Sequence, residues 1–220
     1  GLEKYIIGLK VTNFKTFGDI KFPEEIKSIE GLIGEKVVAV KRRGKLLIIE
    51  FEKDSFLVHL RMTGQLVFIA ENSRFGYGHP TKSLNSDLPD RSTRWVLEFD
   101  KGSLYFNDQR KFGQYKVHDN LKLLEDKFLA KLGVEPLLDD FTIDVLKGLL
   151  KKNPNRQLKS FLLDQTKIAG IGNIYADEIA FKTKLHPKAL LKSIITTNKV
   201  KLLHSNIIHI LQKAIESQGY

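Results

Sequence analysis

KSFLLDQTKIAGIGNIYADEIAFKTKLHP, residues 159–187, is the stretch whose reading organises the rest of the chain. Residues 160–165 carry Phe161, Leu162 and Leu163, a short helix pattern with an apolar side. Gly170 and Gly172 then interrupt it, and glycine adopts backbone angles that other residues resist. Asn173 precedes a second periodic run, 174–184, in which Ile174 with Phe181 and Tyr175 with Ile179 recur at helical spacing. Asparagine is a favoured N-cap, and a helix start presents unpaired N–H groups and the positive end of the dipole. A phosphate is the natural ligand of such a turn. An ordinary glycine turn between two core helices is the rival reading, and for an isolated helix–turn–helix it is the better one. The charge of this chain tilts the choice towards nucleic acid.

That charge is +10 over 220 residues, with 36 Lys and Arg against 26 Asp and Glu. Such an excess suits a polyanionic partner, although solubility or membrane association would also accommodate it. No run of about 18 apolar residues exists, which argues against a transmembrane span. Charged residues interrupt every early apolar run, unlike a secretory signal. Cysteine is absent, so disulfides and thiolate metal sites are excluded within these residues, and the six histidines are scattered. An intracellular, bacterial-type cytoplasmic location is the expectation.

Upstream of the helical stretch the chain reads as strands. Residues 36–40 and 46–51 are β-rich runs around Lys41, Arg42, Arg43, Gly44 and Lys45, a hairpin tip with Gly44 supplying the turn. Residues 56–60 and 65–69 follow. Residues 73–91, polar and rich in Gly, Pro and Ser, read as a loop. Residues 95–99 and 103–106 flank Asp100-Lys101-Gly102, a second hairpin signal, and 115–117 suit a further short strand. From Leu121 the period becomes helical: 122–132 stops at Gly133 and Pro136, Asp140 or Thr142 caps 143–152, and 197–217 forms a long amphipathic helix ending at Gly219. The expected fold is α+β, an antiparallel β-sandwich or barrel domain over 1–119 and an all-helical domain over 120–220.

Three further patches carry chemistry. The tip at Lys41–Lys45 places four cations together, suited to a phosphate backbone, or simply a solvated basic turn. His59-Leu60-Arg61-Met62-Thr63-Gly64 ends a strand with the chain's only methionine. Asp108-Gln109-Arg110-Lys111-Phe112-Gly113 sets two cations beside an aromatic. Met62 and Phe112 would also serve as core residues, and Arg110 beside an acid as a structural ion pair.

In chain order, RRGK, HLRMTG, NDQRKFG, LGVEPL and LLDQTKIAGIGNIYADE together resemble the formamidopyrimidine-DNA glycosylase family, bacterial enzymes that remove oxidised purines from DNA and then cleave the strand. The resemblance runs over nearly all of the chain, and its last motif matches the helix–two-turn–helix domain of that family. It implies that Lys45 lies against phosphates at the lesion and assists proton transfer during strand cleavage. It implies that Met62, Arg110 and Phe112 fill the gap left by a flipped nucleotide. Extruding a base costs a few kcal/mol of stacking and pairing, and inserted side chains recover part of it. By the same resemblance Asn173, Lys159 and Arg156 bind DNA, and Glu178 matches an acidic residue of the second helix. The implied partner is double-stranded damaged DNA, bound by a monomer.

The chain departs from the family pattern in four places. A DNA-contacting histidine is usual where Ser92 stands, leaving Arg91 or Arg94 as substitutes. Asn155 occupies a position where a cation is common, with Arg156 beside it. The family's nucleophile is an N-terminal proline in a Pro-Glu opening, whereas Gly1-Leu2-Glu3-Lys4-Tyr5 resembles a later part of the first helix, so Glu3 is not equated with the catalytic glutamate. The family's zinc finger has no counterpart before Tyr220. The expectation is an internal fragment, inactive as it stands, with no cofactor of its own and one structural zinc in the parent's C-terminal segment. Two other functions remain open: the sister branch that removes oxidised pyrimidines, whose members often lack the complete Met, Arg and Phe trio, and a non-catalytic DNA-binding protein.

Overall fold

The computed structural model describes residues 1–18, 29–79, 82–195 and 198–217. The chain divides into two compact units, Gly1–Asp126 and Lys127–Tyr220. The first is a β-sandwich. After the single-turn helix α1 (Glu3–Ile6) come β1 (Val11–Thr16), β2 (Val37–Arg43), β3 (Leu46–Phe51), β4 (Asp54–His59), β5 (Gly64–Ala70), β6 (Ser73–Gly78), β7 (Thr93–Phe99), β8 (Gly102–Asp108) and β9 (Gln114–Asp119). They form a five-stranded sheet in the order β1-β7-β8-β5-β6 and a four-stranded sheet in the order β2-β3-β4-β9. Every pairing is antiparallel.

Alternation along the strands explains the two layers. The inward residues of both sheets meet in one core, where Trp95 of β7 stacks on Phe106 at 5.2 Å between ring centroids and meets Phe56 of the other sheet edge-on at 5.1 Å. Offset and edge-on geometries satisfy the ring quadrupoles while removing large apolar areas from water.

The region read from sequence as a loop over 73–91 contains β6, which pairs with β5. This is an edge strand in which Phe75 packs on the core while Arg74, Gly76 and Tyr77 are exposed. The helix expected over 122–132 is absent. Residues Asn120–Glu125 and Leu129–Lys131 form 3₁₀ turns instead. Long-range ties override the periodicity: the Asn120 side chain donates to the Phe51 carbonyl at 2.9 Å and accepts from Ser55, while buried Asp126 pairs with Lys116.

The second unit is helical: α2 (Ile143–Lys151), α3 (Leu158–Leu162), α4 (Asn173–Lys182), α5 (Leu191–Ile195) and α6 (Lys199–Glu216). Thr142 caps α2 by accepting from the Val145 N–H at 3.2 Å. Val200, Leu203, Ile207 and Ile210 of α6 recur at three- and four-residue intervals and are buried against the other helices. On α4 the buried stripe is Ala176, Ile179 and Ala180. Ile174 and Phe181, whose spacing signalled the helix, stand on its exposed side. The stop expected at Gly219 lies outside the described residues.

Candidate nucleic-acid interface

Two loops at one end of the sandwich carry the first group of expected site residues. Residues 60–63 join β4 to β5, and 109–113 join β8 to β9. Each loop therefore passes from one sheet to the other. Their flanks are paired, His59 with Gln114 in one sheet and Gly64 with Asp108 in the other, so the two crossovers run side by side. Met62 and Phe112 stand out from them, 60% and 53% exposed. Neither fills the core, which disposes of the simpler reading of these two residues. Arg61 and Lys111, the residues immediately before them, have φ of 55° and 60°, a conformation uncommon for non-glycine residues. Arg110 joins the pair: its guanidinium lies 5.0 Å from the centre of the Phe112 ring, and Nη1 reaches Met62 Sδ at 3.4 Å. The structure thus assembles Met62, Arg110 and Phe112 into one exposed cluster.

Lys45 follows the tip of the β2–β3 hairpin, at Gly44, whose φ of 58° makes the turn. Leu46 pairs with His59, which brings the tip beside the 60–63 loop. Lys45 is exposed, yet the surrounding protein desolvates its ammonium and, with Arg61, holds its pKa below the ordinary lysine value. Arg61 in turn donates to Gln114 Oε1 at 2.6 Å. Between these cations sits His59, which sequence reading did not single out. Burial first, then Arg61 and Lys45, lower its pKa from 6.5 to about 4. Nδ1 accepts the Arg61 N–H at 3.1 Å, so the neutral ring carries its proton on Nε2 and can donate there.

This shift has a measurable consequence. Between pH 6.5 and about 4 the unfolded chain binds a proton that folded His59 refuses, so stability falls as pH drops through that window and not further below it. The urea midpoint should fall less between pH 7 and 4.5 for His59→Gln than for the wild type. Equal falls would mean that His59 titrates normally.

The expected substitutes for histidine are resolved in part. Ser92 is buried, and its Oγ donates to Asp90 at 2.6 Å and lies 2.9 Å from Ser83 Oγ. Arg94 donates from Nε to the Asp108 carbonyl at 2.7 Å. Arg91 is exposed beside an open cleft lined also by Lys82, Ser86 and Gln109. Ser92 is therefore structural, Arg94 braces the loop, and Arg91 is the outward-facing cation.

In the helical unit, the turn between α3 and α4 is built by its own polar side chains. Asp164 Oδ1 accepts from Thr166 N and Oγ1 at 2.9 and 2.7 Å. Gln165 Oε1 accepts from the Gly170 N–H, while its Nε2 donates to the Leu163 and Ile171 carbonyls. Gly170 has a φ of 93°, which favours glycine. The LGVEPL segment clamps the outer side: Gly133 N–H donates to the Gln165 carbonyl at 2.8 Å and Ala169 N–H to the Val134 carbonyl at 2.8 Å.

Asn173 is the first residue of α4 rather than its cap. Gly172 occupies the N-cap position and no side chain caps the helix. Asn173 is exposed at the helix start, where its amide can serve a ligand. The two cations are more committed. Lys159 Nζ lies 2.8 Å from the Asp177 carboxylate, linking α3 to α4. Arg156 pairs with Asp164 at 2.6 Å and donates to the Ser160 carbonyl at 3.0 Å, bracing the turn. Glu178 lies on α4.

Among the described residues no group of three or more His, Asp or Glu side chains is arranged to hold a metal. The chain has no cysteine, so it offers no thiolate ligand for the zinc that the resemblance implies. No described helix is long and apolar enough to cross a membrane.

Known proteins resemble this chain along nearly its whole length. Residues 1–115 match the formamidopyrimidine-DNA glycosylase N-terminal domain, and residues 132–220 the H2TH domain of formamidopyrimidine-DNA glycosylase. The formamidopyrimidine-DNA glycosylase of Ureaplasma parvum is 35% identical over 201 residues, covering 90% of this chain and 67% of that protein. That of Lactococcus lactis is 33% identical over 222 residues, covering 99% and 75%. The L. lactis structure with DNA containing an abasic site superposes with a TM-score of 0.82 at 31% identity, covering all of this chain and 76% of the other. A complex of the same protein with DNA containing N7-benzyl-Fapy-dG also gives 0.82 at 31% identity, with the same coverage. Two family models in sequence order, relatives matched along nearly the whole chain and a shared fold lead to one assignment: the chain belongs to the formamidopyrimidine-DNA glycosylase family.

Proposed function

We propose that this chain supplies the lesion-opening and DNA-holding parts of a bifunctional glycosylase and abasic-site lyase acting on oxidised purines. The observation that carries the reading is the exposed Met62–Arg110–Phe112 cluster, two hydrophobic side chains and a cation assembled where no core needs them. Such a wedge can occupy the space of an extruded nucleotide, with Arg110 donating to the orphaned base. The complete trio favours oxidised purines over the pyrimidine branch.

In this mechanism a secondary amine attacks the sugar C1′. A C–N bond forms as the glycosidic bond breaks, and the departing base takes the electron pair and a proton. The sugar ring then opens: the C1′–O4′ bond breaks, O4′ leaves with its electron pair and takes a proton, and the resulting iminium is an electron sink that permits elimination of the 3′ phosphate, then of the 5′ phosphate. An N-terminal proline suits the attack because α-amines titrate near about 8. Lys45 serves the phosphates and proton transfer, its lowered pKa making proton release easier. Asn173 and Lys159 hold the backbone. Arg156 braces the turn that presents them and reaches phosphate with its remaining donors.

Fluorescence anisotropy tests the binding half of the proposal. Affinity should fall steeply with salt, each phosphate neutralised by a cation contributing about −0.9 to the log–log slope. Asn173→Ala should lower affinity about tenfold to a hundredfold on damaged and undamaged duplex alike, the loss of one hydrogen bond to a charged group. Its salt slope should stay unchanged, because asparagine carries no charge, whereas Lys159→Ala should reduce the slope by about 1. Unchanged affinity of Asn173→Ala on both duplexes would remove Asn173 from the interface.

A further inference from the structure

The two wedge loops are joined by one buried carboxylate. Asp108 is 1% exposed, at the end of β8. Its Oδ1 accepts from the Thr63 hydroxyl of the opposite loop and from the Arg110 N–H at 3.2 Å. Its Oδ2 accepts from the Gly113 N–H at 2.7 Å. The Arg110 N–H is shared, also reaching Thr63 Oγ1 at 3.2 Å. Asp108 is held in its turn, since its own N–H donates to the Ser92 carbonyl and its carbonyl accepts from Arg94. Thr63 directly follows Met62, and Arg110 and Gly113 enclose Phe112.

We propose that Asp108 and Thr63 are positioning residues for base extrusion, a clamp that makes the two loops move as one wedge; this rests on the glycosylase reading above. The physical need is plain. Met62 and Phe112 are exposed on separate loops and follow residues in an uncommon backbone conformation, so neither loop has a core to hold it. A loop that must be ordered at the moment of insertion loses binding free energy to that ordering, and a preorganised one does not. Hydrogen bonds to a buried carboxylate are stronger than neutral ones and leave it few alternatives. Thr63 supplies the only side chain by which the first loop reaches this carboxylate among the described residues.

The test compares Thr63→Val, which keeps the shape and deletes the hydroxyl, with Thr63→Ser, which keeps the hydroxyl, and with Asp108→Asn, which keeps the volume and one acceptor oxygen. The probe is a duplex carrying 2-aminopurine as the base to be extruded, whose emission rises when that base loses its stacking. At saturating protein, wild type and Thr63→Ser should raise the emission, while Thr63→Val and Asp108→Asn should lower that enhancement about tenfold, the factor for one lost hydrogen bond to a charged group. Affinity for undamaged duplex should stay within about twofold for all four, since phosphate contacts do not involve the clamp. Amide exchange of Arg110 and Gly113 should quicken in Thr63→Val and Asp108→Asn and recover in Thr63→Ser. Enhancement by Thr63→Val equal to that of wild type, or failure of Thr63→Ser to restore it, would overturn the clamp while leaving the glycosylase reading intact. No enhancement by the wild type, despite binding, would overturn both.

Discussion

Replacing Met62 and Phe112 together by alanine should abolish most of the preference for a duplex with an abasic gap over an intact one. The side chains are more than half exposed and touch Arg110 rather than the core, so their loss costs the free protein little stability. Bound to a duplex with a missing base, they would replace stacking that the gap has lost. Contacts between an aromatic side chain and a base are worth about 1–3 kcal/mol, so losing the wedge should weaken binding to an abasic-analogue duplex about tenfold to a hundredfold. Binding to intact duplex, which offers no gap, should hardly change. Competition titrations on the two duplexes read this difference directly. Equal weakening on both would assign the pair to general DNA placement; no weakening on either would remove them from the interface. Phe112→Ala should have the larger single effect, because it also removes the ring beneath the Arg110 guanidinium.

The order of motifs was legible in the sequence, while the commitments of their side chains were not. Alternating apolar residues and Gly44 mark the β2–β3 hairpin locally, so sequence reading found it with bounds close to those observed. β6 escaped because an exposed edge strand needs no apolar alternation, and Ser73–Gly78 has little. The 122–132 helix failed for the opposite reason: helical periodicity was present, but Asn120 and Asp126 are tied to partners 65 and 10 residues away. Distance along the chain hides the site chemistry in the same manner. Lys159 was recognisable as a cation, but its partner Asp177 lies 18 residues on, across the turn. Nothing local to His59 announces a depressed pKa, which arises from burial and from cations brought to it by strand pairing. Asp108 looked like a neighbour of Arg110, and only the side-by-side crossovers reveal that it serves both loops.

The same glycine-to-alanine change should have opposite effects at two places in the helical unit. Gly133 packs so closely on the turn that an added Cβ would lie 2.3 Å from the Lys167 carbonyl oxygen and 2.4 Å from its carbon. Both are backbone atoms, so no rotamer can relieve the clash. The segment must move, and the Gly133 N–H bond to the Gln165 carbonyl is strained or lost with it. Overpacking costs about 1–3 kcal/mol and the bond about another 1, so Gly133→Ala should destabilise this unit by about 2–4 kcal/mol. At about 4–8 °C per kcal/mol for a domain of this size, its melting temperature should drop by at least about 8 °C. Gly148 lies inside α2, where an added Cβ meets nothing within 4 Å. There alanine should stabilise by about 0.5–1 kcal/mol, because glycine loses more backbone freedom on entering a helix. Calorimetry on the two variants decides whether LGVEPL is a clamp on the turn between α3 and α4 or merely an approach to α2. If it is a clamp, Gly133→Ala should also weaken binding to intact duplex at temperatures where the protein remains folded, as the turn that presents Asn173 loosens. A Gly133→Ala protein as stable as the wild type would show that the segment yields without cost and that the turn stands without it.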